Sequence, residues 1–286
     1  MPIAVENFPK IDAHFHANHF KEAYLQLAAR YNTRYITINT DTDIFPPVAE
    51  QEQTARSLQK EFPDLFTYVC SFSMDGWQED TWYPNVYNSI KASLAAGAVA
   101  VKIWKNIGMQ IRKPDGRFLM IDDPFFQPLF QWLQEAQVPM LTHLGEPRNC
   151  WLPLHEMTTI RNREYYTKHP EFHAYLHPEI PSYEKQIAAR DQILNRYPQL
   201  KMVGAHLGSL EWSIDELASR FRRYPNFFVD CSSRMGHLQL QSVHRHEAVR
   251  HFFIEYADRI LYGTDAYDNP EKLEHALVND WQFLAT

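Results

Sequence analysis

The segment Lys10–His16 reads Lys-Ile-Asp-Ala-His-Phe-His. Side chains of an extended strand alternate between faces. Ile11, Ala13 and Phe15 therefore share one face, while Asp12, His14 and His16 share the other. Two imidazoles two residues apart on one face can reach a single ion. A lone His-x-His is a weak signal, but the theme recurs. Three later apolar runs end in Met-Leu-Thr-His143-Leu-Gly, Val-Gly-Ala-His206-Leu-Gly and Leu-Tyr-Gly-Thr-Asp265-Ala. Imidazole nitrogens with a carboxylate oxygen form a donor set that suits Zn²⁺, with Mn²⁺ or Fe²⁺ as alternatives. A buried cluster of this many histidines without a metal would be costly.

Cationic and aromatic residues accompany these strand ends. In Val-Ala-Val-Lys-Ile-Trp-Lys, Val99, Val101 and Ile103 share one parity, so Lys102 points the other way, towards the inside. A lysine inside a sheet is unusual unless it is paired. An ion pair or a contact with a substrate carboxylate is expected. Lys105, just past the same run, is a second candidate for anion binding, with a solvated loop lysine as the alternative. Arg148 follows His143 in His-Leu-Gly-Glu-Pro-Arg, and Arg234 follows in Asp-Cys-Ser-Ser-Arg. An arginine fork suits a carboxylate. Arg148 is the better candidate, because Asp230 is placed to pair with Arg234. Trp104 and Trp151 offer an apolar wall for a ligand or, equally, ordinary packing.

The elements that must position these residues follow from periodicity. Eight short apolar runs, Lys10–Phe15, Arg34–Asn39, Phe66–Phe72, Ala98–Trp104, Val138–His143, Lys201–His206, Phe227–Asp230 and Arg259–Thr264, alternate with helix-like stretches. Asp123-Pro124 supplies an N-cap and a helix-opening proline, and Gly97 a stop. Eight βα units in series demand a parallel sheet, and eight is the number that closes a TIM barrel, (β/α)₈. An open doubly wound sheet would usually carry a glycine-rich phosphate turn. The chain has only nine glycines and no G-x-G-x-x-G. One domain over residues 1–286 is expected, with polar residues gathered at the C-terminal ends of the strands. Lys105–Ile121 reads as a loop. Glu146–Ser182 reads as an insertion after the fifth strand, rich in aromatics, proline and histidine. Such a loop is functional or disordered, and its aromatics favour a packed lid.

The motifs Asp-Ala-His-Phe-His, His-Leu-Gly after two later strands and Gly-Thr-Asp near the C-terminus together resemble the amidohydrolase superfamily. More narrowly they are similar to the branch that holds aminocarboxymuconate-semialdehyde decarboxylase and related metal-dependent hydrolases. The resemblance runs from about residue 9 to about residue 270 and implies one zinc-type ion held by His14, His16, His143 and Asp265. His206 would then sit beside the metal-bound water as acid or base, and Asp265 would also take a proton. Asp12, one layer deeper, is expected to orient a ligand imidazole, or else to cap the strand. In some relatives a lysine from the fourth strand is carbamylated and bridges two metals, which gives Lys102 a further reading. The expected function is a hydrolase acting on a small carboxylated substrate, a lactone, amide or ester. Non-oxidative decarboxylation on the same metal is the alternative, and a non-catalytic metal or ligand binder the third reading.

Composition sets the remaining bounds. Hydrophobic residues make up 45% of the 286, the level of a protein with a sizeable core, and the net charge is −7. An acidic chain without a basic stripe argues against a nucleic-acid surface. The three cysteines, Cys70, Cys150 and Cys231, are isolated, which fits reduced thiols in a cytoplasmic setting. No stretch reaches the roughly 18 apolar residues of a membrane span, and no secretory signal is visible. Only one short helix is expected after Asp265. Barrel surface left uncovered there would call for a partner subunit, as in a homodimer.

Overall fold

The computed structural model describes residues 4–285. Its strands are β1 (Lys10–His16), β2 (Thr33–Ile38), β3 (Phe66–Ser71), β4 (Ala98–Ile103), β5 (Met140–Thr142), β6 (Met202–Gly204), β7 (Phe227–Asp230), β8 (Ile260–Leu261) and β9 (Ala266–Tyr267). Every pairing is parallel, in the order β8-β7-β6-β5-β4-β3-β2-β1-β9. The eighth apolar run is split: β8 pairs with β7, and β9 pairs with β1. Between them Ala13 N–H donates to Tyr262 O (2.9 Å) and Asp265 N–H to His14 O (2.7 Å). The run is thus bonded on both sides, and the TIM barrel closes. The split has a local cause. At Gly263 a Cβ would stand 2.6 Å from the Cβ of His14, and Asp265 adopts φ 57°. The chain is pressed against β1 and then turned in the left-handed region.

Strand alternation sorts the side chains as expected. Outward residues such as Phe15, Tyr35, Tyr68, Val101, Ile103 and Met140 join the packing under the helices. Inward residues Ile38, Val69, Ala100, Leu141 and Ala205 form a small separate apolar layer inside the barrel. One step further along several strands, Ser71, Lys102 and His143 continue the same parity, so the apolar layer is the floor of a polar one. The outer helices Glu22–Tyr31, Val48–Glu61, Trp82–Ala95, Gln127–Glu135, Tyr183–Arg196, Ile214–Arg223, Met235–Glu255 and Pro270–Leu284 match the helix-like stretches to within a few residues. None is long and apolar enough to cross a membrane, and the three cysteines are buried and free.

The insertion Glu146–Ser182 is ordered. It carries the helix Ile160–Lys168 and four short 3-10 turns. It also has its own apolar centre of Cys150, Met157, Tyr166 and Ala174, flanked by Trp151, Leu152, Leu154 and Ile180. Trp151 therefore packs inside the insertion, with its indole N–H on Pro181 O (3.2 Å), and is not a wall of the site. The last helix, opened by Pro270 and capped by Asn269 Oδ1 on Lys272 N–H (2.9 Å), buries Leu273 and Leu277 against the β1 side of the barrel. It is the closing helix.

That helix contributes one titrating group. Asp280 is buried against Tyr262 Oη (3.2 Å). Burial pushes its carboxyl up to about 6, with the Tyr262 bond opposing. A folded-state pKa above the unfolded value favours the protonated form. Its stabilisation is complete below the unfolded value and is lost as pH rises through about 6. Asp280→Asn keeps the hydrogen-bonding shape and removes the ionisation. Thermal unfolding should show variant and wild type alike near pH 4. At pH 8 the variant should be more stable by on the order of 2 kcal/mol. Equal melting points at both pH values would show that Asp280 is solvated well enough to ionise freely.

Candidate metal centre

β1 delivers His14 and His16 to the mouth of the barrel, and the turn after Gly263 delivers Asp265. Asp265 Oδ1 lies 3.6 Å from His14 Nε2 and 3.4 Å from His16 Nε2. The other nitrogen of each ring is already committed. His14 Nδ1 lies 2.8 Å from Asp230 Oδ2, and His16 Nδ1 lies 2.8 Å from the carbonyl oxygen of Ile38. An acceptor at Nδ1 places the proton there and leaves a lone pair on Nε2. Burial also holds His16 below the ordinary imidazole range, only partly offset by Asp265. Wherever these rings are neutral, a nitrogen lone pair faces a carboxylate oxygen, an arrangement that is repulsive unless a cation lies between them. Ligand atoms around a tetrahedral ion with bonds of about 2.1 Å stand roughly 3.4 Å apart. The spacing and the donor chemistry both fit a divalent metal.

His143 reaches the same cavity from β5. Its ring lies 4.3 Å from that of His206 and 4.7 Å from that of Trp104, centroid to centroid. It stands outside the tight His14–His16–Asp265 group. Both its ring nitrogens are buried without a hydrogen-bond partner. Burial and the nearby His206, Lys105 and Lys102 push its pKa well down. A neutral ring with two unserved nitrogens beside the triad has the chemistry of a fourth ligand.

His206 opens an unusual turn. Residues His206, Leu207, Gly208 and Ser209 all have positive φ, between 57° and 60°. The left-handed region costs roughly 1–2 kcal/mol for each residue that is not glycine, so the surroundings must impose it. Asp230 Oδ1 accepts the His206 backbone N–H (3.0 Å), and Ser209 Oγ donates to Leu144 O (3.0 Å). At Gly208 a Cβ would lie 2.7 Å from the Phe227 ring, so only glycine fits. The turn swings the His206 ring under the cavity. There its Nδ1 meets Ser232 O and Ser232 Oγ, both at 2.9 Å, which leaves Nε2 as the unprotonated nitrogen. Burial pushes this imidazole down to about 3.

Asp230 is the hub. One carboxylate oxygen serves His14 Nδ1. The other accepts the backbone N–H groups of His206 and Ser232 and the Ser232 hydroxyl. Burial alone would raise its pKa, but His14, His206 and these donors hold it well below the usual carboxylate range. The expected partnership of Asp230 with Arg234 is not formed. Asp12 also departs from expectation, since it touches no imidazole. Its oxygens accept from the N–H groups of His14 and Thr264 and from Thr264 Oγ1 (2.6 Å). It stitches β1 to the eighth run, and burial lifts it to about 7. Asp230→Asn replaces the acceptor of His14 with an amide. Loss of such an outer partner typically lowers metal affinity 10–100-fold, so a chelator competition should show a drop of about that size. An unchanged affinity would mean that His14 is oriented by packing alone.

The cavity above the centre holds about 320 Å³. Phe45, Trp104, Tyr165, Tyr166 and Tyr267 supply aromatic wall, and Lys105, Arg161, Arg234 and Lys272 line it as well. Lys102 lies beneath, fully buried, with its ammonium making no hydrogen bond. No ion pair forms there, and burial lowers it to about 8 against the pull of Asp230 and Asp265. Lys105 is neutralised by Glu146. Arg148 does not face the cavity: its guanidinium covers the Trp212 ring at 4.4 Å, and its backbone N–H is held by the buried Glu211 (2.8 Å). The 3-10 turn Arg148–Trp151 bends the chain away immediately after Pro147. Arg161, Lys272, His237, Phe45 and Tyr267 are lining residues not foreseen. Arg161, Lys272, His237 and Phe45 come from loops and helix starts outside the motifs, and Tyr267 from β9 just past Gly-Thr-Asp265. Asp230 had a signal, since it ends a strand on the inward parity.

A family model described as "Amidohydrolase" matches residues 11–286. No curated protein sequence matches the chain. Among solved structures the chain resembles an uncharacterised TIM-barrel protein from Bordetella bronchiseptica (14% identity, 97% of this chain and 98% of that one, TM-score 0.54). It also resembles 2,6-dihydroxybenzoate decarboxylase from Rhizobium (16%, 97% and 93%, 0.55). A third is 5-carboxyvanillate decarboxylase from Novosphingobium aromaticivorans, complexed with manganese and 4-hydroxy-3-methoxy-5-nitrobenzoic acid (12%, 98% and 94%, 0.53). At these identities the likeness is one of fold.

Proposed function

The chain belongs to the amidohydrolase family, and from that premise we propose that it is a metal-dependent decarboxylase of a small aromatic or otherwise planar acid. The observation that carries this reading is the lone-pair triad of His14, His16 and Asp265 at the base of a cavity with aromatic walls and unpaired cations. Two of the structures it resembles are decarboxylases of benzoic acids, one of them holding manganese. That support ranks decarboxylation above the hydrolysis first expected from the motifs.

His14, His16 and Asp265 would hold the ion, with His143 completing the set. A divalent cation there would polarise a bound carboxylate or ring hydroxyl and draw off electron density; Mn²⁺ and Zn²⁺ both suit the donors. The remaining work falls to the side chains. Trp104 and Phe45 set the plane of a flat ring. The Lys102 ammonium, with no partner of its own, attracts an anionic oxygen from below. His206, with its tautomer fixed by Ser232, presents Nε2 as the base that takes a proton from a substrate hydroxyl. It delivers that proton to the ring carbon as the bond to the carboxylate breaks and CO₂ leaves; the hydroxyl regains its proton from solvent on release. The lid excludes water, which protects a carbon-centred anion from indiscriminate protonation.

Protein loaded separately with Mn²⁺ and Zn²⁺ should be offered hydroxybenzoates, other carboxylated aromatics, lactones and amides. Release of CO₂ without ring opening or amide cleavage is the expected result. Cleavage of lactones or amides with no CO₂ would return the function to hydrolysis by the same residues.

A further inference from the structure

The cations of the site outnumber what its carboxylates can balance. Lys102, Arg161, Arg234 and Lys272 have no carboxylate partner among the described residues, while Lys105 is already paired with Glu146. Against them stand Asp265, which belongs to the triad, Asp230, which is spent on His14 and two backbone N–H groups, and the buried Glu211, which feels the charge of Arg234 without forming an ion pair with it. A resident divalent ion would widen the imbalance.

Three of these cations lie at the rim and come from three separate elements. Arg161 is the second residue of the lid helix Ile160–Lys168, and Lys272 is the third of the helix Pro270–Leu284. Both therefore sit in a first helical turn, where the macrodipole disfavours a positive charge. Arg234 follows β7. Its Nη1 donates to Ser233 O (3.1 Å), but its Nε is buried without a partner. All three line one cavity, and Arg161 acts on the surroundings of the other two. His237, in the first turn of the helix Met235–Glu255 and bonded to Asn162 of the insertion (3.1 Å), is pushed down to about 3 by burial with Arg234 and Arg161 adding to it. Lys272 is lowered by burial, with Arg161 contributing and Asp265 opposing. Like charges gathered against two helix dipoles, with an unserved buried guanidinium N–H among them, are destabilising unless an anion visits.

We propose that Arg161, Arg234 and Lys272 form a second anion seat at the cavity rim. The substrate would then be a planar acid with two carboxylates, one at the metal end and one under the lid. The inference deepens the proposed function and rests on that reading of the cavity. It also gives the lid a role in selection, since Arg161 is carried on it and engages only a ligand long enough to reach the rim.

Binding of benzoate, benzene-1,3-dicarboxylate and benzene-1,4-dicarboxylate to the metal-loaded protein can be followed by titration calorimetry, without turnover. At least one dicarboxylate should bind about tenfold tighter than benzoate, the scale of an added charge-assisted hydrogen bond. Arg161→Gln and Lys272→Gln change two residues that are exposed overall, although the Lys272 ammonium itself is partly buried over the Tyr267 ring. Each should cut that ratio about three- to tenfold and leave benzoate affinity within about twofold. Equal binding of all three acids, variants that weaken all three alike, or no binding by any of them would overturn the seat. The CO₂ assay separates the two claims. A dicarboxylate preference without CO₂ release from any acid leaves the seat and removes the decarboxylase. CO₂ release from mono-acids without a dicarboxylate preference does the reverse.

Discussion

Asp265→Asn is expected to lower turnover by about 10³ or more and to reduce bound divalent metal well below that of the wild type. The carboxylate has two functions in the geometry. Its Oδ1 faces Nε2 of both His14 and His16 at 3.4–3.6 Å, so it supplies the only formal negative charge in the triad. Oδ2 accepts from Ser233 Oγ at 2.7 Å, which fixes the group in its left-handed turn. An amide keeps the size but offers a neutral oxygen, and its NH₂ would meet one of the imidazole lone pairs as a donor. The variant should therefore replace metal binding with a hydrogen bond. The fold should gain stability in the absence of metal, because a repulsive cluster has been relieved. Elemental analysis after purification without chelator, together with thermal unfolding with and without EDTA, checks both halves. A variant that retains a full complement of metal would show that Asp265 is a proton carrier and that the ion is held by the histidines alone.

How much of this was open to a reader of the sequence depends on which force places each residue. The strands were legible because alternation in an eight-stranded barrel leaves one face for the helices and one for the interior. Phe15 and Val101 had to go out, and His14 and Lys102 had to go in. His143 followed from the same parity, whereas His206 did not, since Val203 and Ala205 are the inward residues of its strand. What alternation does not carry is backbone outside the extended region. The left-handed run from His206 to Ser209 and the turn at Asp265 reverse the direction in which a side chain leaves, and neither His-Leu-Gly nor Gly-Thr-Asp announces that. Asp230 was visible as a carboxylate on an inward parity, but its partner was misjudged from proximity in sequence. Arg234 lies four residues away, whereas His14 lies across the barrel. Arg148 failed for a related reason. It follows His143 closely, yet one short turn and the aromatic face of Trp212 suffice to remove it. Arg161 and Lys272 reach the cavity through tertiary packing of a lid helix and the closing helix, and no local pattern marks them.

The second large effect is assigned to His206. His206→Asn should keep most of its metal and lose about 10²–10⁴ in turnover, the range for a positioned acid or base. The claim rests on where the ring nitrogens point. Nδ1 is occupied by the carbonyl and hydroxyl of Ser232 at 2.9 Å, which is the arrangement of an orienting contact. The ring lies 4.9 Å from that of His14 and 4.3 Å from that of His143, so it stands beside the triad. Burial keeps the imidazole neutral throughout the working range, with a pKa pushed to about 3 in the free protein. The ring is therefore unprotonated in the free protein, and it takes a proton only as negative charge developing beside it raises its basicity. Asparagine tolerates the positive φ that this position imposes better than most residues do, so the turn and the Asp230 contact to the backbone should survive. This makes His206→Asn a cleaner test than alanine. Metal content, substrate affinity and turnover measured on one preparation discriminate the roles. Loss of turnover alone marks the base. Loss of metal together with turnover would make His206 a ligand, with His143 as the ring left to handle the proton.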